Sequence, residues 1–166
     1  SSSYKLDDTE LPTNSNTKYE AGNMGHRPRA KGGYFPVGPV DVTTDIRAEM
    51  VTTLMEMGLP MDKHHHEVAA SQHELGLTFG KLVETCDRIQ IYKYVVKMVA
   101  HSYGKTATFM PKPLADAPGS GMHTHVGLFE GDANAFYGPG AEFQLSPLAR
   151  QFIAGLLHHA PEITAV

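Results

Sequence analysis

His64-His65-His66-Glu67-Val68-Ala69-Ala70-Ser71-Gln72-His73-Glu74 is the stretch whose reading decides this fold. It runs from Leu59-Pro60 into the alternating Leu75-Gly76-Leu77-Thr78-Phe79, and that alternation favours strand over helix. In one continuous strand Glu67 and Glu74 point to opposite faces, because their separation is odd and side chains alternate with period two. A bulge or tight bend at Ala69-Ala70-Ser71 returns both to one side. A helix also aligns them, but Pro60 and Gly76 weigh against it.

A second segment, Gly119-Ser120-Gly121-Met122-His123-Thr124-His125, shares the same chemistry, and the two segments hold six of the ten histidines. His123 and His125 have the same parity, so a strand over residues 122–128 places both on one face and Met122, Thr124, Val126 and Leu128 on the other. Carboxylate and imidazole without thiolate suit Mg²⁺ or Mn²⁺ better than a structural zinc site. A divalent cation held by few carboxylates keeps open positions that phosphoryl oxygens fill. The segments read as two walls of one cleft. Composition alone leaves a second reading open, a polar strand face beside an ordinary alternating strand.

At 166 residues the chain is long enough for one domain with a real core. A net charge of −4 with 14 basic residues gives no electrostatic case for nucleic acid. Sixteen Gly and 11 Pro imply many turns. The single cysteine, Cys86, excludes an internal disulfide and fits a reducing, cytoplasmic setting. No apolar run is long enough to span a bilayer, so no membrane role is expected, and the start of the chain does not read as a signal peptide. Both ends look cut, as in part of a longer polypeptide.

Residues 1–19 read as an irregular polar segment, with a short strand expected at 18–21 and a small basic group at His26, Arg27, Arg29 and Lys31. Lys31-Gly32-Gly33-Tyr34-Phe35-Pro36-Val37-Gly38-Pro39-Val40 excludes helix, and it matches neither the Walker nor the dinucleotide-binding glycine pattern. Ile46, Met50, Leu54 and Met57 recur at helical spacing, with Asp41 or Thr43 as cap, Gly58 as stop and the methionines as core. A longer helix is expected over residues 83–103, with Tyr92, Val95, Val96, Val99 and Tyr103 on one stripe. Residues 106–110 read as a buried strand, 130–134 as a hairpin turn. Ser146-Pro147 caps a last helix carrying Leu148, Phe152, Ile153 and Leu156.

Five blocks in order resemble one family. Lys31-Gly-Gly-Tyr-Phe-Pro-Val37, the His64–Glu74 stretch, Gln90-Ile-Tyr-Lys-Tyr-Val-Val96, Gly104-Lys-Thr-Ala-Thr-Phe-Met-Pro-Lys-Pro113 and Gly119–His125 look like the catalytic domain of bacterial type I glutamine synthetase. The resemblance covers residues 20–166. It implies an α+β fold, a largely antiparallel curved sheet flanked by helices, incomplete here because the N-terminal β-grasp domain and the C-terminal part of the catalytic domain lie outside these residues.

The resemblance also implies an activity. ATP phosphorylates the γ-carboxylate of glutamate, and ammonia displaces phosphate to give glutamine. The site holds two divalent cations, Mg²⁺ or Mn²⁺, at subunit contacts of a homo-oligomeric double-ring dodecamer. By position Glu67 and Glu74 fall at the first metal and His123 at the second. Gly119 meets the amino-acid substrate, and Asp62 and His125 meet ATP. No residue of the acid–base machinery falls within this segment, so the segment alone is expected to be inactive. Three positions depart from the family pattern: Pro118 stands for Asn, Asp62 for Glu, and Gly127 for Ser. Pro118 brings no amide side chain, which keeps a ligase for another amine or polyamine in view, with a non-catalytic structural relative as a further alternative.

Overall fold

The computed structural model describes residue 28 and residues 31–165. They fall into two compact units, divided after Gly121. The strand expected at 18–21 and the basic residues His26, Arg27 and Arg29 lie outside the described residues.

In the first unit, helix α1 spans Thr44–Glu56. Its apolar positions Ile46, Met50 and Leu54 recur every fourth residue and face inward, Leu54 with 0% exposure. Thr43 is the cap position without a side-chain capping bond. The Asp41 carboxylate does that work from two residues earlier, accepting from the Thr43 N–H at 3.2 Å and from the Thr44 hydroxyl at 2.6 Å. The helix stops at Gly58, whose φ of +85° a residue with a Cβ adopts only under strain. Met57 is not core as expected but 55% exposed, because it falls past the last buried turn.

Strand β1 (Met61–His66) and strand β2 (His73–Leu77) form an antiparallel hairpin. Helix α2 (Leu82–Ser102) follows and packs against α1, ending where Gly104 takes φ +66°. The core collects Met50, Leu54, Leu59, Leu75, Val96 and Val99 from α1, β2, α2 and the turn after α1. Each such side chain contributes about 1.5–3 kcal/mol of transfer free energy. Residues 106–110 do not form the expected buried strand. They are irregular, and Phe109 and Met110 remain exposed. Phe109 lies instead with its ring tilted by 59° against that of Tyr92, ring centroids 5.8 Å apart.

In the second unit residues 122–128 are likewise irregular rather than a strand. Backbone pairing begins only at Leu128, whose carbonyl accepts from Ala135 N at 2.8 Å. β3 (Phe129–Glu130) and β4 (Ala133–Asn134) make the expected hairpin around Gly131, at φ +59°. A single 3₁₀ turn, Glu142–Gln144, leads to helix α3 (Pro147–His158) and the short α4 (Ala160–Ile163). Ser146 caps α3, its hydroxyl oxygen accepting from Ala149 N at 3.1 Å. Among the described residues the pairing is antiparallel throughout and the class is α+β. No described helix is long and apolar enough to cross a membrane.

Candidate metal and substrate site

The hairpin reversal settles the orientation of the two glutamates. His65 pairs with Glu74 and His66 with His73. Directly paired residues share a face, and so does the residue two further along, so His65, Glu67 and Glu74 project together. The turn closes at the expected place: Glu67 N donates to Gln72 O at 2.7 Å, and Gln72 N to Ala69 O at 3.2 Å. Ser71 takes φ +53°. One ligand atom from each of His65, Glu67 and Glu74 lies within 4.8 Å of the other two.

His65 is the member that sequence reasoning missed. Its ring is buried, stacked on Phe35 at 4.3 Å and edge-on to Tyr34 at 5.4 Å. Its Nδ1 lies 3.1 Å from the His66 carbonyl. A carbonyl only accepts, so Nδ1 carries the hydrogen and, in the neutral ring, Nε2 presents its lone pair. That nitrogen is 3.6 Å from Glu74 Oε1, while Nδ1 is 3.8 Å from Glu67 Oε1. The signal in the sequence was register: in a hairpin closed at residues 69–71, residue 65 faces residue 74.

The other histidines of the first segment serve the opposite face. His66 is fully buried, with Nδ1 2.6 Å from the Glu67 carbonyl and its ring edge-on to His73 at 5.1 Å. His73 Nδ1 accepts from the Arg47 guanidinium at 3.2 Å. Arg47 is itself buried and paired with Asp41. Burial pushes the Asp41 carboxyl up, but hydrogen bonds from Arg47 and Thr44, the Arg47 charge and Thr43 outweigh it and hold Asp41 well below the usual carboxylate range. Burial, then the Arg47 charge, push His64 down, so it is neutral at pH 7. On α2, burial and then the charge of Glu74 push the Tyr92 phenol up to about 12.

Gly33 explains the glycine pair before Tyr34. A Cβ there lies 2.5 Å from the Glu67 carbonyl oxygen and 2.8 Å from the His66 ring. Gly33 N donates to Val68 O and Phe35 N to His66 O, both at 3.2 Å. The segment thus lies along the hairpin edge beside Glu67.

Gly119 belongs to the same unit. Gln72 Nε2 donates to the Gly119 carbonyl at 2.9 Å and to the Ser120 hydroxyl at 3.1 Å. Asp62 stands apart from the cluster, at the irregular register between Met61 and Lys63, with its side chain 59% exposed. His123 and His125 are exposed residues of the second unit, on irregular chain.

A family model described as glutamine synthetase, catalytic domain, matches residues 4–166. The glutamine synthetases of Rhizobium meliloti and Azospirillum brasilense are each 55% identical over 163 residues, 98% of this chain but 34% and 35% of theirs. The chain therefore spans about a third of the length of these curated relatives. Among solved structures, Plasmodium falciparum glutamine synthetase, by cryo-electron microscopy, aligns with a TM-score of 0.74 at 35% identity, over 78% of this chain and 25% of that one. Ligand-free GmaS aligns at 0.69 and 38% identity, over 75% and 30%. With its family model matched along almost its whole length and its antiparallel hairpin fold shared, the chain belongs to the glutamine synthetase family.

Proposed function

We propose that the protein to which these residues belong is an ATP-dependent ligase that makes glutamine from glutamate and ammonia. The observation that carries this reading is the convergence of His65, Glu67 and Glu74 on one face of the hairpin, with the Gly119 loop tied to the same turn. Two carboxylates and a neutral imidazole nitrogen form a donor set that fits Mg²⁺ or Mn²⁺. Glu67 and Glu74 hold the first of two such cations and His123 contributes to the second. When bound, these cations neutralise charge between the acceptor carboxylate and the γ-phosphate.

In the reaction, a γ-carboxylate oxygen of glutamate displaces ADP from the γ-phosphorus of ATP. Ammonia nitrogen then attacks the γ-glutamyl phosphate carbon, phosphate leaves with the bonding electrons, and a proton passes from the nitrogen to an acceptor supplied by further polypeptide. Gly119 orients the amino acid, while Asp62 and His125 contact ATP. Residues 20–166 form part of the catalytic domain after the polar residues 1–19. Remaining ligands come from polypeptide and subunits beyond this segment, in a cytoplasmic homo-oligomer, a dodecamer.

A second reading, a γ-glutamyl ligase for another amine, is favoured by Pro118, which brings no amide side chain. The test is ATP-dependent γ-glutamyl hydroxamate formation by the full-length protein with Mn²⁺ or Mg²⁺, followed by phosphate release across a panel of amines. Ammonia as the preferred acceptor supports glutamine synthesis, and preference for an alkylamine transfers the assignment to the second reading. Glu67→Gln and Glu74→Gln are each expected to weaken Mn²⁺ binding, read by calorimetry, at least about tenfold. Undiminished Mn²⁺ affinity in both variants overturns the site.

A further inference from the structure

We propose that Gln72 is a positioning residue that couples the hairpin carrying Glu67 and Glu74 to the Gly119–Ser120 loop, so that the Gly119 backbone, where the ligase reading places the amino-acid substrate, is set by that turn. The inference rests on the ligase reading for what binds at Gly119, and on the geometry for the coupling itself.

The Gln72 amide has three assigned partners, and they fix its orientation. Its Oε1 accepts from Ala69 N at 3.0 Å inside the turn. Its Nε2 donates one hydrogen to Gly119 O at 2.9 Å and is 3.1 Å from Ser120 Oγ for the other. Ala69 N only donates and Gly119 O only accepts, so a flipped amide loses both bonds. The same residue's backbone carbonyl accepts from Glu67 N at 2.7 Å. One residue therefore binds the cation turn through its main chain and through one end of its amide, and the substrate loop through the other end.

The loop is built to receive this brace. Ser120 N donates to Pro111 O at 2.7 Å, which closes residues 111–120 on themselves. A Cβ at Gly119 lies 2.9 Å from that same Pro111 oxygen, so the close approach requires glycine there. Closed on itself, the loop presents the Gly119 carbonyl to Gln72 from 47 positions away in sequence. A tie between two binding elements makes their occupancies interdependent, and the coupling is reciprocal.

Gln72→Glu separates the two ends of the amide: it keeps an acceptor for Ala69 N and has no hydrogen for Gly119 O. In the full-length protein this variant is expected to raise KM for the amino-acid substrate about tenfold while kcat changes less than about threefold. Amide hydrogen exchange across residues 112–121 is expected to accelerate about tenfold, with exchange in α2 unchanged. Ser120→Ala, which removes one of the two bonds, gives a smaller shift of the same kind, and it tests the brace if Gln72→Glu does not fold. Unaltered loop exchange in the folded variants overturns the proposal, as does a fall in kcat at constant KM. A wild-type protein that forms no hydroxamate, yet shows the expected exchange changes between wild type and variants, upholds the brace and overturns the ligase reading instead.

Discussion

Helices α1 and α3 carry the same kind of sequence pattern and meet different fates. In α1 the stripe Ile46, Met50, Leu54 is buried against the hairpin and α2. In α3 the stripe Leu148, Phe152, Ile153, Leu156 stays exposed, Leu156 at 46%. Phe152, Ile153 and Leu156 line an open groove of about 260 Å³ together with Val126, Phe136 and Leu145. An amphipathic pattern states that a face is to be covered, not by what. In α1 the covering elements lie in the same unit. In α3 the described residues of its unit supply a hairpin and a turn, too little to close over it.

The sharpest way to break this contrast is at Arg47. Arg47→Met leaves the buried Asp41 carboxylate without its partner and is expected to destabilise the first unit by about 3–5 kcal/mol in urea unfolding. The same pair sets an acid limit. Because the folded Asp41 pKa is depressed, its contribution is fully present above the unfolded-state value of about 4 and is lost as pH falls below it. Asp41→Asn is expected to flatten the acid limb of stability against pH, and an unchanged limb removes Asp41 from that role.

Leu54→Ala, at a site with no exposure, is expected to cost about 2–5 kcal/mol. Ser146→Ala removes the α3 cap and is expected to cost about 1 kcal/mol, read as faster amide exchange in the first turn of α3. Leu156→Ala is expected to cost less still, under about 1 kcal/mol if the groove is open in solution. A penalty for Leu156→Ala equal to that for Leu54→Ala, measured in the full-length protein, shows that further polypeptide covers the stripe and turns the contrast into a property of the segment.

The same division runs through the site. Glu67 and Glu74 were legible because carboxylates beside histidines in a strand context are unusual, and the bend at residues 69–71 was legible because their parity demanded one. His65 was hidden among three consecutive histidines, of which register alone selects one for the carboxylate face. Gln72 was invisible because its partners lie 47 and 48 residues away. The strand expected at 106–110 was read as a short buried run and that at 122–128 from alternation. Alternation places side chains but does not provide the neighbouring strand that a ladder requires, and among the described residues no strand pairs with 106–110 or with 122–127.

The sequence by itself determined the helices α1, α2 and α3, the hairpin turn and the family, because periodicity, caps, glycine stops and block order are local properties of the chain. Which histidine joins the glutamates, which residue ties the hairpin turn to the Gly119 loop, and which apolar stripe becomes core were left to the tertiary structure. Those outcomes depend on register and on distant partners, and contact free energy between residues far apart in sequence leaves no mark on either segment read alone.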